Sequence, residues 1–433
     1  MLPARRFCLI VSGLALLALV ASLAFGFSAL VGPFAVAAAV GLALGLGAVD
    51  SLRSFQYTAW IIAAVVAAMF YPATFLKWGD FDLRNKWVVL VVIQTVMFGM
   101  GTQMSLRDFV GVMKMPWGVF VAVACQFLVM PLTGFVLIKL FPLPDEIAAG
   151  VILIGACSSG LASNVMCYLA RANLALSITA TSMTTLLAPL MTPLWMKLLA
   201  GRLVEVRFTP MMLEIMKIVI VPIAAALLHD ALKSASSAAR RRWEIVNAVA
   251  VTGLFCLAVF HRSEPLVSLP ASTWLLIELA GFAAGAVVAG MFYHRLTGWF
   301  PRIPGFMPYL SMAGIVYFTT ITTAAGRNHL LLVGGTLILV AILHNGAGYF
   351  FGYWLARLAG LDRSSCRTVA IEVGLQNGGM ASGLAGAMGK LATVGLAAAV
   401  FSPWMNISGS LLANYWRRRG GGTEGDAADS KPA

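Results

Sequence analysis

The sequence predicts an all-α integral membrane protein, and three observations carry that prediction. First, 60% of its 433 residues are hydrophobic, only 11% are charged, and the mean hydropathy is +0.89; a soluble domain carries roughly 25% charged residues. Second, about fourteen apolar runs approach or exceed the roughly 17–25 residues that a spanning helix needs. Third, two of these runs are interrupted by glycine-rich, polar stretches near their middle, where polar groups are expensive. The net charge of +13 does not point to nucleic acid, because the Lys and Arg residues lie in short loops between the apolar runs. Cys8, Cys125, Cys157, Cys167, Cys256 and Cys366 form no CxxC pair, so neither a disulfide framework nor a zinc site is signalled.

The first two runs, 7–30 and 34–48, read as a hairpin within a unit at 1–50. The first follows Arg5-Arg6 and exceeds the roughly 7–15 residues of a signal-peptide core, which favours a retained helix over a cleaved leader ending near Ser22-Leu23-Ala24. Gly41, Gly45 and Gly47 give the second run small residues for close helix packing. Further runs follow at 57–75, 86–104, 117–141, 147–170, 174–200, 211–232, 243–260, 272–293, 305–325, 330–358, 367–388 and 392–416. With the N-terminus cytoplasmic, about 19 of the 30 Lys and Arg residues fall on the cytoplasmic side, including Arg240-Arg241-Arg242 and Arg417-Arg418-Arg419. Both termini are then expected inside a bacterial inner membrane, with a polar, Gly-rich disordered tail from Gly420.

Ser158-Ser-Gly-Leu-Ala-Ser163 and Asn377-Gly-Gly-Met-Ala-Ser382 echo one another, each inside an apolar run. The preceding runs place Gln126 and His344-Asn345 at matching depth. Paired, glycine-interrupted segments in two halves are the sequence sign of a transporter binding site. Glu372 stands just before the second interruption, with Gln376 four residues on and so expected on the same helical face, and an ionisable residue there needs a cation, a proton or an Arg. Ser163, Asn164, Ser177 and Thr181 add hard oxygen donors suited to an alkali cation. Taken alone, Ser177 and Thr181 fit helix–helix hydrogen bonds better than ion ligation. His344 and Asn345 read as groups that cap or pack against the second break, and Glu278 as a residue near a helix end or in an ion pair. The absence of GxSxG, HExxH and P-loop patterns excludes the corresponding hydrolases and ATP-driven pumps, so no enzyme is expected.

The runs Glu372-Val-Gly-Leu-Gln-Asn377, Ser163-Asn-Val-Met-Cys-Tyr-Leu-Ala-Arg171 and Asn406-Ile-Ser-Gly-Ser-Leu-Leu-Ala-Asn-Tyr-Trp416 resemble the bile acid:sodium symporter family over about 57–232 and 305–416. The resemblance implies two inverted five-helix repeats with crossing broken helices at 147–170 and 367–388, and a panel domain that moves against a core domain. It assigns 51–232 to the first repeat, 233–304 to an inserted two-helix hairpin, 305–416 to about the last four core helices of the second repeat, and 417–433 to a tail. It implies one sodium site at Ser163, Asn164, Ser177, Thr181 and Glu372. A second would use Gln126, Glu372, Gln376 and the carbonyls of Val373 and Leu375. Asn377, Leu161, Met405 and Asn406 would face the substrate. Leu161 and Met405 stand where some bacterial relatives carry Thr and His, which makes the cavity more apolar.

The expected function is sodium-coupled transport of a small organic anion across the lipid bilayer, with no cofactor beyond the coupling ions. The alternatives are a proton-coupled or sodium-independent exporter of the arsenite type, using Cys157 or Cys167, and a non-transporting membrane sensor.

Overall fold

A computed structural model of the protein describes residues 2–49, 52, 55–260 and 269–419; the tail from Gly420 lies outside them. The chain opens with α1 (Leu2–Ala24) and α2 (Ser28–Gly45), which pack on each other as a hairpin around Gly26 at φ +74°. Small residues bring them close: a Cβ on Gly41 would stand 3.0 Å from the Ser12 Cβ. The short α3 (Gln56–Phe70) leads into α4 (Pro72–Leu76), which Pro72 starts at a position where a missing N–H costs nothing. A hairpin of two-residue strands, Lys77–Trp78 and Phe81–Asp82, is the only sheet among the described residues.

Helix α5 (Lys86–Gly101) is capped by Asn85 and bent by 56° from α6 (Leu106–Lys114), which begins at the capping box of Ser105 and Asp108. After α7 (Pro116–Leu140) comes the first broken segment, α8 (Asp145–Ala156) and α9 (Ala162–Leu169). Then α10 (Leu174–Trp195) runs on through a π-turn to Ala200, and α11 (Phe208–Ile215) joins α12 (Val221–Lys233) through another. Helices α13 (Ser237–Phe260) and α14 (Ala271–Trp299) follow, with α14 against α12. The remainder is α15 (Ile303–Ala325), α16 (Arg327–Leu358), the second broken segment, α17 (Arg363–Gly374) and α18 (Gly378–Ala387), and α19 (Val394–Arg419).

Among the described residues, nine helices are long and apolar enough to cross a membrane, or ten if the bent α5–α6 pair is one span. The sequence led us to expect about fourteen crossings, and the difference has physical causes. Helix α3 has only 15 residues. Thr319, Thr320, Thr322 and Thr323 dilute the apolarity of α15. The two broken segments reach membrane length only as pairs of short halves.

The main core runs through α5, α7, α8, α10 and α12 to α15–α19, with Phe318, Met97, Met130, Ile152 and Phe401 fully buried. By contrast, α13 buries only Ala250. Glu278 is exposed on α14, seven residues past its start, and no salt bridge among the described residues includes it.

Candidate functional site

The two breaks meet. Ser159 and Gln376 form an isolated antiparallel bridge, in which the Gly160 N–H donates to the Leu375 carbonyl (3.0 Å) and the Asn377 N–H to the Ser158 carbonyl (2.9 Å). Backbone groups freed by each break are thus satisfied by the other, as an interior without water demands. The approach requires glycine at position 160, where a Cβ would stand 2.8 Å from the Gln376 carbonyl oxygen.

An amide from the preceding helix caps each first half. Gln126 Nε2 on α7 donates to the carbonyl of Cys157, at the end of α8 (3.0 Å). Asn345 Nδ2 on α16 donates to the carbonyl of Gly374, at the end of α17 (2.7 Å). The polar groups at matching depth therefore do matching work. Ser408 in turn donates to Asn345 Oδ1 (2.6 Å) and holds that amide in place.

Glu372 is 1% exposed on α17, and no salt bridge among the described residues includes it. Ser177 and Thr181, one turn apart on α10, reach it together: Ser177 Oγ lies 2.5 Å from Oε1 and Thr181 Oγ1 lies 2.8 Å from Oε2. Asn164 Oδ1 is 2.8 Å from Ser177 Oγ, and Ser163 Oγ is 3.3 Å from Thr181 Oγ1. Each hydroxyl has one proton, and that of Ser163 is directed to the Gly160 carbonyl (2.8 Å). The carboxylate, the Asn164 oxygen and the hydroxyl oxygens therefore have more acceptor sites than protons. Such a cluster is short of positive charge.

The other predicted ligands form a neighbouring group. Gln126 Nε2 also donates to Gln376 Oε1 (2.7 Å), and Gln376 Nε2 donates to the Val373 carbonyl (2.6 Å). Gln126 Oε1 is buried and has no hydrogen-bond partner among the described residues. Glu372 and Gln376 do not share a helical face as their i, i+4 spacing led us to expect. Helix α17 ends at Gly374, and Gln376 lies in the extended crossing stretch. The carboxylate itself makes no hydrogen bond to Gln126 or Gln376; the link is Ser159 Oγ, 3.1 Å from the Glu372 carbonyl and 3.2 Å from that of Leu375. Ser159 is a site residue that sequence reasoning passed over, although it lies within the echoed run.

Asn377, Leu161, Met405 and Asn406 all line one cavity of about 110 Å³ beside the crossing. Asn377 also caps α18, its Oδ1 accepting from the Met380 N–H (2.9 Å), and its Nδ2 faces Met100 Sδ. Asn406 Nδ2 donates along its own helix to the Ser402 carbonyl (2.9 Å). Cys157 and Cys167 are completely buried and absent from the cavity wall. Among the described residues no group of His, Cys, Asp and Glu could hold a metal ion together, and all six cysteines are free.

A sequence model of the Sodium Bile acid symporter family matches residues 89–269. The chain is 32% identical over 361 residues to an uncharacterized sodium-dependent transporter of Bacillus subtilis, YocS, covering 83% of this chain and 90% of that protein. It is 28% identical over 365 residues to the probable chloroplastic sodium/metabolite cotransporter BASS1 of Arabidopsis thaliana, covering 84% and 74%. It is 29% identical over 292 residues to the human ileal sodium/bile acid cotransporter, covering 67% and 66%.

Proposed function

The chain belongs to the sodium bile acid symporter family, and on that premise we propose that it is a sodium-coupled symporter of a small organic anion, working by alternating access. One observation carries the ion coupling. A buried carboxylate on the second broken segment, with no salt-bridge partner among the described residues, is surrounded by neutral oxygens from the first broken segment and α10. Moving such a charge out of water costs several kcal/mol even after relaxation, so it calls for a cation or a proton, and the hard oxygens gathered around it suit an alkali cation.

The first sodium ion is assigned to Ser163, Asn164, Ser177, Thr181 and Glu372, whose oxygens converge. A second is assigned to Gln126, Gln376, Glu372 and the carbonyls of Val373 and Leu375; Gln126 Oε1, buried and without a hydrogen-bond partner among the described residues, supports it. Occupying the second site requires the Gln376 amide to release the Val373 carbonyl. The substrate's anionic group is assigned to the cavity of Asn377, Leu161, Met405 and Asn406, where the N-terminus of α18 contributes positive potential. The fold is read as two inverted repeats. The antiparallel bridge and the paired amide caps support that reading. Five membrane segments from Gln56 to Ala200 would form the first repeat, so Phe208–Lys233 would open the second, rather than close the first as expected from sequence. The membrane is read as a bacterial inner membrane with both termini cytoplasmic, supported by the distribution of basic residues.

The test is uptake by proteoliposomes of a panel of organic anions under a sodium gradient, with choline replacing sodium at fixed pH. Glu372→Ala is expected to abolish sodium-dependent uptake while expression is retained; full activity in this variant refutes the ion assignment. Uptake that persists in choline and follows a proton gradient would favour the exporter alternative, although Cys157 and Cys167 lie away from the cavity. Anion binding without flux would favour a sensor.

A further inference from the structure

We infer that the N-terminal hairpin builds a second anion-binding station, a vestibule in which Arg5 holds the charged group of an amphipathic organic anion. The inference rests on the reading of the chain as an organic-anion transporter. A cavity of about 810 Å³ is lined by Arg5 from α1, by Gln56, Tyr57 and Trp60 from α3, and by Tyr309 and Met312 from α15. Tyr57 lines this cavity and also the cavity of about 110 Å³ at the helix crossing. The two spaces therefore adjoin at one side chain.

Their sizes divide the labour. Pockets for drug-sized molecules run from about 300 to 1,000 Å³, so the vestibule can take a whole amphipathic solute and the crossing only a small group. The vestibule walls have the matching chemistry. Trp60, Tyr309 and Met312 provide an apolar and aromatic surface. Arg5 donates from Nη1 to the Gly47 carbonyl (3.0 Å) and enters no salt bridge among the described residues. That bond uses one of its five donors and leaves others for a carboxylate or sulfonate.

Arg5 is held in place by the fold. Gln56 Nε2 donates to the Ala43 carbonyl (3.1 Å), tying α3 to α2. The guanidinium and the Gln56 amide close over Gly47: a Cβ there would stand 2.5 Å from Arg5 Nη1 and 2.9 Å from Gln56 Oε1, so a larger residue would displace both side chains. The guanidinium therefore reaches the cavity wall through a seat built by both helices of the hairpin.

The probe is 4-benzoylbenzoate, a photoreactive aromatic carboxylate, applied to the full chain in phosphatidylcholine nanodiscs with choline as the only cation. Labelling is expected in the peptides of α3 and α15. In Arg5→Gln the half-saturating concentration should rise about ten-fold, as expected when a charge-assisted hydrogen bond is lost, while Arg5→Lys should stay near the wild-type value. Uncharged benzophenone should show no difference between the variants. Labelling that is the same in wild type and Arg5→Gln, or that maps elsewhere, overturns the proposal. Loss of labelling when phosphatidylglycerol replaces part of the lipid overturns it in favour of a lipid headgroup. Because the assay contains no sodium, a failure of sodium coupling leaves this result standing and is read separately in the Glu372→Ala experiment.

Discussion

Glu372 shows why a single residue can organise a membrane protein. Its side chain is enclosed by hydroxyls and an amide oxygen, with no salt bridge among the described residues. Each hydroxyl is a neutral donor whose loss removes a charge-assisted hydrogen bond and an ion ligand at once. Ser177→Ala and Thr181→Ala should each raise the sodium concentration for half-maximal uptake about ten-fold, from roughly 1.5 kcal/mol per lost bond to a charged group. Gln126→Ala should raise it too; an unchanged sodium dependence would remove Gln126 from the second ion site. Glu372, Ser177 and Thr181 were legible in the sequence because a carboxylate in an apolar run is anomalous and a spacing of four fixes a common helical face. Ser159 was not legible, since a serine beside a glycine break looks like any turn residue. Its role depends on carbonyls 213 and 216 positions further along the chain.

At the scale of elements, the breaks were readable and their partnership was not. Glycines at 160, 374, 378 and 379 marked where regular helices fail. No local signal showed that the two extended stretches would pair with each other, or that Gln376 would leave the helix of Glu372. Gly160→Val tests the crossing: its added bulk meets the Gln376 carbonyl. The protein should lose about 1–3 kcal/mol of stability, the usual cost of overpacking, and any rise in melting temperature caused by sodium. Asn345→Leu should lower the melting temperature as well, because the buried Gly374 carbonyl loses its donor, at about 1–3 kcal/mol. A melting temperature equal to wild type would show that another group can cap α17. The bend between α5 and α6 was also missed, although the Ser105–Asp108 capping box is visible in the sequence once one looks for a helix start.

For the whole molecule, the proposed transport cycle requires one group of helices to slide past another, and the packing offers a way to stop it. A Cβ at position 383 on α18 would lie 3.3 Å from the Ile93 Cβ on α5, close to the separation found in disulfides. Oxidising the double variant Ile93→Cys, Gly383→Cys should abolish uptake, and dithiothreitol should restore it; transport that survives complete cross-linking would mean that α5 and α18 move together. Composition made the membrane character and the helical class legible. The sequence count of runs exceeds the nine or ten single helices of spanning length among the described residues, because two runs are split into short halves, α3 is short and α15 is rich in threonine.

The bridge between Ser159 and Gln376 also bears on how the chain is made. When the first break enters the bilayer, the peptide groups that will satisfy it lie 217 residues further along and have yet to be synthesised. Until then its bare carbonyls and amides must be sheltered by water or by the insertion machinery. A chain that stops before the second break has no means of completing the first, so C-terminal truncations should be cleared by quality-control proteases rather than accumulate as half-transporters.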